Sequence, residues 1–120
     1  MLTRWIVIAA MSLLAGCVDL GHVGSHPQLK EAWFPANVEK TYTCLYSAAL
    51  VNHLRLEEDE SLPGGRRRFN LLNQNDELVA WLDMARSGKQ TDVDFFYGRN
   101  DKPIEQRLMA MIKQCRQELN

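Results

Sequence analysis

The chain has 120 residues, with 14 Lys and Arg against 15 Asp and Glu and a net charge of −1 at pH 7. A nucleic-acid-binding domain gathers a basic excess on one face, and this near-neutral chain offers no such excess, so we exclude nucleic acid as a partner. A single domain of roughly a hundred residues buries a modest core, and its stability is marginal enough for a covalent cross-link to matter.

The amino terminus carries the pattern of a secretory signal peptide. Arg4 is the only charged residue before an almost wholly apolar run over residues 5–14, and small residues follow this run. An uncleaved membrane-spanning helix is the alternative, but an apolar run of about ten residues is half of what a bilayer requires. We therefore predict that residues 1–16 are a signal peptide, which is removed from the mature protein.

The end of this run, Leu14-Ala15-Gly16-Cys17, resembles the lipobox of bacterial lipoproteins at all four positions. The resemblance implies that diacylglycerol is attached to the sulfur of Cys17, which becomes the acylated first residue. Each buried methylene adds about 0.8 kcal/mol of membrane affinity, so several acyl chains together form a stable anchor. Val18 follows Cys17 where inner-membrane lipoproteins have Asp. The resemblance therefore implies a lipoprotein of the outer membrane that faces the periplasm.

Cys44 and Cys115 are the two remaining cysteines. The periplasm is oxidising, and disulfides form and persist there. A redox or nucleophilic role, the alternative, needs an activating neighbour or a CxxC spacing, and neither cysteine has one. We predict a structural disulfide, whose loop of around seventy residues is worth about 4 kcal/mol in the chain-entropy account.

Residues 17–32 are predicted to be the lipidated amino terminus and a flexible tether. Gly24 and Pro27 interrupt this segment, and it has little periodic apolar content. His22 and His26 also lie in it, but a metal site takes three or four ligands. We therefore expect no metal and no cofactor.

The periplasmic domain, residues 33–120, is predicted to begin and end with a helix. Apolar residues at steps of three and four predict a first helix over about residues 35–53, with Asn37 as a candidate cap. Asp101 and Pro103 are typical of the start of a last helix. The buried stripe of that helix is predicted to consist of Ile104, Leu108, Met111, Ile112, Cys115 and Leu119.

Two charged runs lie between the helices, one acidic at residues 57–60 and one basic at residues 66–68. The sequence Pro63-Gly64-Gly65 separates them, which predicts a solvated loop whose two runs pair across the turn. Exposed pairs of this kind contribute well under about 1 kcal/mol each. Contact of the three arginines with anionic lipid is the functional alternative.

Three strand-like segments follow, at residues 69–72, 78–84 and 93–97, and turn residues separate them. This spacing predicts an antiparallel meander of three strands. The predicted fold is therefore a two-layer α+β domain of order α-β-β-β-α, with both helices on one face of the sheet.

The face of the sheet away from the helices is the predicted binding surface. The period of two places four apolar residues there, namely Leu72, Val79, Trp81 and Phe96. An apolar group of this kind indicates an envelope protein partner or a homodimer unless something covers it. The alternative is that Trp33 and Phe34 fold over this face and complete an ordinary monomer.

Asp83 and Asp94 also fall on this second face, and paired carboxylates are the arrangement that a glycosidase uses. However, no set of nucleophile, base and orienting residue is recognisable in the sequence. Alternating Asp residues on a solvent-facing strand usually serve only solubility. We predict a non-catalytic interaction or accessory module of the cell envelope, and the alternative is a hydrolase acting on peptidoglycan or another glycan.

Overall fold

The computed structural model describes residues 23–24, 26–61 and 63–120. The elements of this part of the chain are β1 (Gln28–Phe34), α1 (Val38–Val51), β2 (Arg55–Ser61), a short 3-10 turn (Pro63–Gly65), β3 (Arg67–Leu72), β4 (Leu78–Ser87), β5 (Gln90–Tyr97) and α2 (Lys102–Leu119). The five strands form an antiparallel sheet in the order β1-β5-β4-β3-β2. The mixed α+β class is thereby confirmed.

The sheet is larger than the predicted meander of three strands. The meander is present as β3, β4 and β5, but β1 and β2 extend it at both edges, so the order is β-α-β-β-β-β-α. β1 takes in residues 28–32, which the sequence predicts as tether. The predicted loop over both charged runs is wrong, because the acidic run lies in β2, and Arg67 and Arg68 lie in β3. β1 pairs with the distant strand β5, whereas β2 forms a hairpin with the next strand, β3. Both bury few of their described side chains, so neither shows a long apolar alternation.

Capping side chains fix where the helices begin. The Asn37 side chain accepts a hydrogen bond from the backbone N–H of Lys40 at 2.8 Å, so α1 begins at Val38. The Asp101 side chain accepts one from the backbone N–H of Ile104 at 3.3 Å at the start of α2. α1 begins three residues later than predicted because residues 35–37 form the bend after β1, and Asn37 at its end is the N-cap of the helix.

The core lies between one face of the sheet and the two helices. Strand residues predicted for this face, such as Phe69, Leu82 and Phe95, are fully buried. Five residues of the predicted α2 stripe are also buried, namely Ile104, Leu108, Met111, Ile112 and Cys115. The buried residues of the sheet and the helices form one cluster. Each large apolar side chain buried in it stabilises the fold by about 1.5–3 kcal/mol.

The predicted disulfide is confirmed: Cys44 of α1 is bonded to Cys115 of α2. Their Cα atoms are 5.8 Å apart, although the residues are separated by 71 positions in the sequence. Both cysteines are buried in the core. The bond therefore ties the two helices to each other above the same face of the sheet.

The predicted signal peptide at residues 1–16 and the lipobox Leu14-Ala15-Gly16-Cys17 lie outside the described residues. The first part of the predicted tether, residues 17–22, lies outside them as well. Within the described part of the chain, neither helix has the length and apolar character needed to cross a bilayer.

Replacement of Cys115 by Ser should lower the stability of the oxidised protein by about 4 kcal/mol, because the unfolded chain then loses the constraint of a long closed loop. Urea unfolding of both proteins in oxidising buffer measures the difference. Reduced wild-type protein should unfold close to the variant. An unchanged unfolding midpoint in Cys115→Ser would contradict a stabilising disulfide.

Candidate functional site

The sheet face that the helices leave open carries the predicted aromatic pair. Trp81 of β4 and Phe96 of β5 are direct cross-strand partners, and their rings stack with centroids 5.6 Å apart. The guanidinium carbon of Arg68 lies 5.7 Å from the centroid of the Trp81 ring, a cation–π arrangement. Both aromatic side chains are half-buried. The Trp81 ring therefore contacts both Arg68 and Phe96, and neither aromatic side chain is fully exposed.

The other two predicted contact residues are less accessible than expected of a binding surface. Val79 is only 4% exposed and belongs to the core cluster. It lies beside a register irregularity at Leu71 and Leu72, and Leu72 is half-buried. The structure thus brings Trp81 and Phe96 together but closes off Val79. The part that these residues play in binding stays a prediction.

The two predicted carboxylates do face each other, since Asp83 of β4 is the cross-strand partner of Asp94 of β5. Like charges placed opposite each other destabilise a sheet unless something neutralises them. Arg68 donates from Nε and Nη2 to the two oxygens of Asp83 at 2.8 and 2.9 Å. Arg66 donates to Asp94 at 2.9 Å. Each carboxylate therefore has its own arginine.

This pairing limits the chemistry that the carboxylates offer. In a glycosidase, one carboxyl group protonates the leaving oxygen, and the other acts as base or nucleophile, so both must reach the substrate. Asp83 is only 4% exposed, and both of its oxygens accept N–H groups of Arg68. A buried ion pair of this geometry is typical of a structural contact. The arrangement favours a structural role for Asp83.

A groove of about 830 Å³ lies beside the carboxylates, toward the β1 edge of the sheet. Trp33 and Glu31 of β1 lie opposite Asp92 and Asp94 of β5, which places these four side chains in two neighbouring cross-strand rows. Trp33 is 52% exposed. The charged residues that line the groove are Glu31, Asp83, Asp92, Asp94, Arg66 and Arg116. An accessible aromatic ring thus stands among charges of both signs.

Arg116 reaches this groove from the last turn of α2. It forms no ion pair with any described residue, and the same holds for Glu31. Arg116 and Trp33 also line a smaller space of about 250 Å³, together with Pro35 and Asn120. The groove therefore presents a cation and an anion that the described fold does not use.

Trp33 was missed as a site residue because residues 33–35 were interpreted as the approach to a helix. Burial alternates along β1, where Ala32 and Phe34 are buried, whereas Glu31 and Trp33 are exposed. The residue types of β1 do not show this alternation in the sequence. Phe34 is fully buried in the core. The two aromatic residues therefore do not fold together over the open face, as the alternative proposed.

Arg67 connects three elements at the other edge of the sheet. Its guanidinium donates to Glu58 of β2 at 2.8 and 3.1 Å and to Glu39 of α1 at 2.8 Å. The guanidinium carbon lies 5.3 Å from the ring centroid of Phe69. The hydrogen bond from Arg67 lowers the pKa of Glu58, and that same bond raises the pKa of Arg67. One pair of the predicted kind between the acidic and basic runs, Glu58 with Arg67, is therefore present.

The three consecutive arginines thus share a feature, which is an acidic partner for each. Arg66 pairs with Asp94, Arg67 with Glu58, and Arg68 with Asp83. Matched pairs cancel much of the local positive field that would attract anionic lipid. This pattern favours matched charges over the lipid-contact alternative.

Within the described residues, no group of three or more His, Cys, Asp or Glu side chains is arranged to hold a metal ion. No protein-family model matches the chain, and no curated protein matches it. Function is therefore inferred from the geometry of the open face and its groove.

Replacement of Asp83 by Asn should destabilise the fold by about 2 kcal/mol, because the Arg68 guanidinium then lacks its buried counter-charge. Urea unfolding measures this loss. Asp92→Asn is the matched control, since Asp92 lies on the same face and accepts a hydrogen bond from Gln90 at 2.9 Å. We expect the control to unfold near the wild-type midpoint, and equal losses would contradict the special role of Asp83.

The Glu58–Arg67 pair predicts a specific dependence of stability on acid. Because the folded-state pKa of Glu58 lies below its ordinary value of 4.5, the pair stabilises the fold above that pH and loses its effect as the pH falls through the folded-state pKa. The free energy of unfolding of Glu58→Gln should therefore fall less steeply than that of the wild type between about pH 5 and pH 2. Glu57→Gln is the control, and urea unfolding across this pH range is the measurement. An identical slope in Glu58→Gln and wild type would refute the pairing.

Proposed function

We propose that this protein is a lipoprotein of the outer membrane, anchored through Cys17, whose periplasmic domain is a non-catalytic binding module of the cell envelope. The anchor is supported by the lipobox pattern and by the signal-peptide pattern that precedes it. The binding role is supported above all by Trp33, which is exposed and lines a groove. In this groove Asp83 and Asp94 accept hydrogen bonds from arginines.

An exposed tryptophan in this position favours binding for a physical reason. Single exposed apolar residues are ordinary, but Trp33 lines a concave space and is flanked by charged groups. Aromatic side chains in such settings dominate binding energies because they bury a large area at a low entropic cost. The Trp81–Phe96 stack is the cross-strand pair next to Asp83–Asp94 on the same face, so it extends this face.

The disulfide is consistent with this proposal. Buried cysteines that are paired across 71 positions indicate a compartment where disulfides persist, and the periplasm is such a compartment. A pinned domain also presents its open face rigidly, because both helices are fixed on the opposite side. The proposed partners are an envelope component or a second copy of the chain, and nucleic acid is excluded on charge.

A hydrolase acting on peptidoglycan or another glycan is the alternative function. The direct opposition of Asp83 and Asp94 across two strands favours it. The hydrogen bonds that Arg68 and Arg66 give to these carboxylates favour binding instead.

Cross-linking in intact envelopes tests the binding role and the anchor together. We expect the wild-type protein to sediment with the outer membrane and to form a specific cross-linked adduct. Trp33→Ala should sediment normally but lose most of the adduct, because the groove loses its aromatic wall. Cys17→Ser should leave the membrane fraction, because it lacks the acylated sulfur.

A matched control keeps the test specific. Tyr46→Ala removes an aromatic residue that is 39% exposed on α1 and does not line the groove, so its adduct should equal that of the wild type. Release of soluble fragments from purified peptidoglycan by the wild type, and its loss in Asp94→Asn, would overturn the binding role in favour of the hydrolase. An adduct that survives Trp33→Ala would remove the groove from the proposal.

A further inference from the structure

The groove beside β1 has a composition that narrows the class of ligand. Its one large apolar surface is the indole of Trp33, which is 52% exposed at the edge of the sheet. The strand pairing holds this residue opposite Asp92, and Glu31 lies two residues earlier on the same face. A flat ring thus stands next to carboxylate acceptors on a rigid sheet.

The polar lining of the groove offers both donors and acceptors. Glu31 makes no ion pair with a described residue, and the Asp92 carboxylate accepts one hydrogen bond, from the Gln90 amide. Arg116, in the last turn of α2, supplies up to five N–H donors and forms no ion pair with a described residue. Arg66 pairs with Asp94 but remains 44% exposed along its side chain.

This mixture disfavours anions. The carboxylates of Glu31, Asp83, Asp92 and Asp94 repel an anion, and the guanidiniums of Arg66 and Arg116 among them cancel part of the attraction for a cation. An uncharged ligand with many hydroxyl groups can use groups of both signs. Its hydroxyls donate to carboxylates and accept from guanidiniums, and these charge-assisted bonds are about twice as strong as neutral ones.

A second copy of the chain fits the β1 edge poorly. Two β1 strands could pair in antiparallel fashion so that Leu29 lies opposite the partner's Trp33 on the same face. In that register Glu31 lies opposite the partner's Glu31. Like charges directly opposite each other destabilise a strand pair. The edge that would join the exposed apolar residues is therefore blocked by the residue between them.

We propose that the groove binds a pyranose ring of an uncharged glycan, and this rests on the proposed function as a binding module. One face of a pyranose carries C–H groups and stacks on the Trp33 indole, while hydroxyls on its rim bond to Glu31, Asp92 and Arg116. The volume of about 830 Å³ lies within the ordinary range of ligand sites and accommodates more than one sugar ring.

Titration of the full chain in detergent, followed by NMR of the tryptophan indole N–H signals, tests this inference. The Trp33 signal is assigned by its loss in Trp33→Phe. The probes are a β-1,4-linked tetramer of N-acetylglucosamine and an α-1,4-linked tetramer of glucose, which distinguish an acetamido sugar from a plain hexose. We expect saturable shifts of the Trp33 signal with at least one of the two.

Two variants identify the contacts. Trp33→Ala should weaken binding at least tenfold, as followed by calorimetry, and Asp92→Ala should weaken it about fivefold. Tyr46→Ala should bind like the wild type, because Tyr46 does not line the groove. Since the ligand is uncharged, binding should change less than twofold between 50 and 500 mM salt.

Pentalysine is the charged comparison. Saturable binding of pentalysine without binding of either oligosaccharide would overturn the glycan assignment, as would equal weakening by Tyr46→Ala and Trp33→Ala. If neither sugar binds but the envelope adduct still depends on Trp33, the glycan inference fails and the binding module stands. If the adduct is also absent, both fail.

Discussion

Both helices lie on one face of the sheet, and the bond between Cys44 and Cys115 holds them there. With α1 and α2 fixed side by side, the strands bury their core residues in a single direction. Neither of these helices covers the opposite face, where the described side chains contact one another. The arrangement of this open face follows from that constraint.

Arg68 links the charged and the aromatic side chains of the open face. Its guanidinium neutralises Asp83 and lies over the Trp81 ring, and the Trp81 ring stacks on Phe96. One guanidinium thus contacts both the buried Asp83 carboxylate and the Trp81 ring. The same contact withdraws Asp83 from solvent. Arg68 therefore holds the carboxylate at the centre of the sheet, and more accessible side chains lie toward the β1 edge.

The proposals follow from that division. Trp33, Glu31 and Arg116 are among the groups near the β1 edge that the described fold leaves accessible. Groups that do not hold the fold together are available to a ligand, and a disulfide-pinned sheet keeps them in fixed positions. A lipid anchor at Cys17 would place this groove in the periplasm, where glycan is abundant. The proposed binding role and the proposed glycan site therefore use the same groove.

The sequence by itself determined the disulfide, the two capped helices, the central strands and the sharing of one face by Asp83 and Asp94, because these depend on local patterns or on the number of cysteines. Only the tertiary structure decided the edge strands. β2 is highly charged and becomes a strand through its hairpin with β3, and β1 becomes a strand through its pairing with the distant strand β5; local apolar alternation predicts neither. The same non-local pairing decided the candidate site. It places Trp33 opposite Asp92, and the packing of α2 brings Arg116 to the same groove, and neither relation can be read from spacing along the chain.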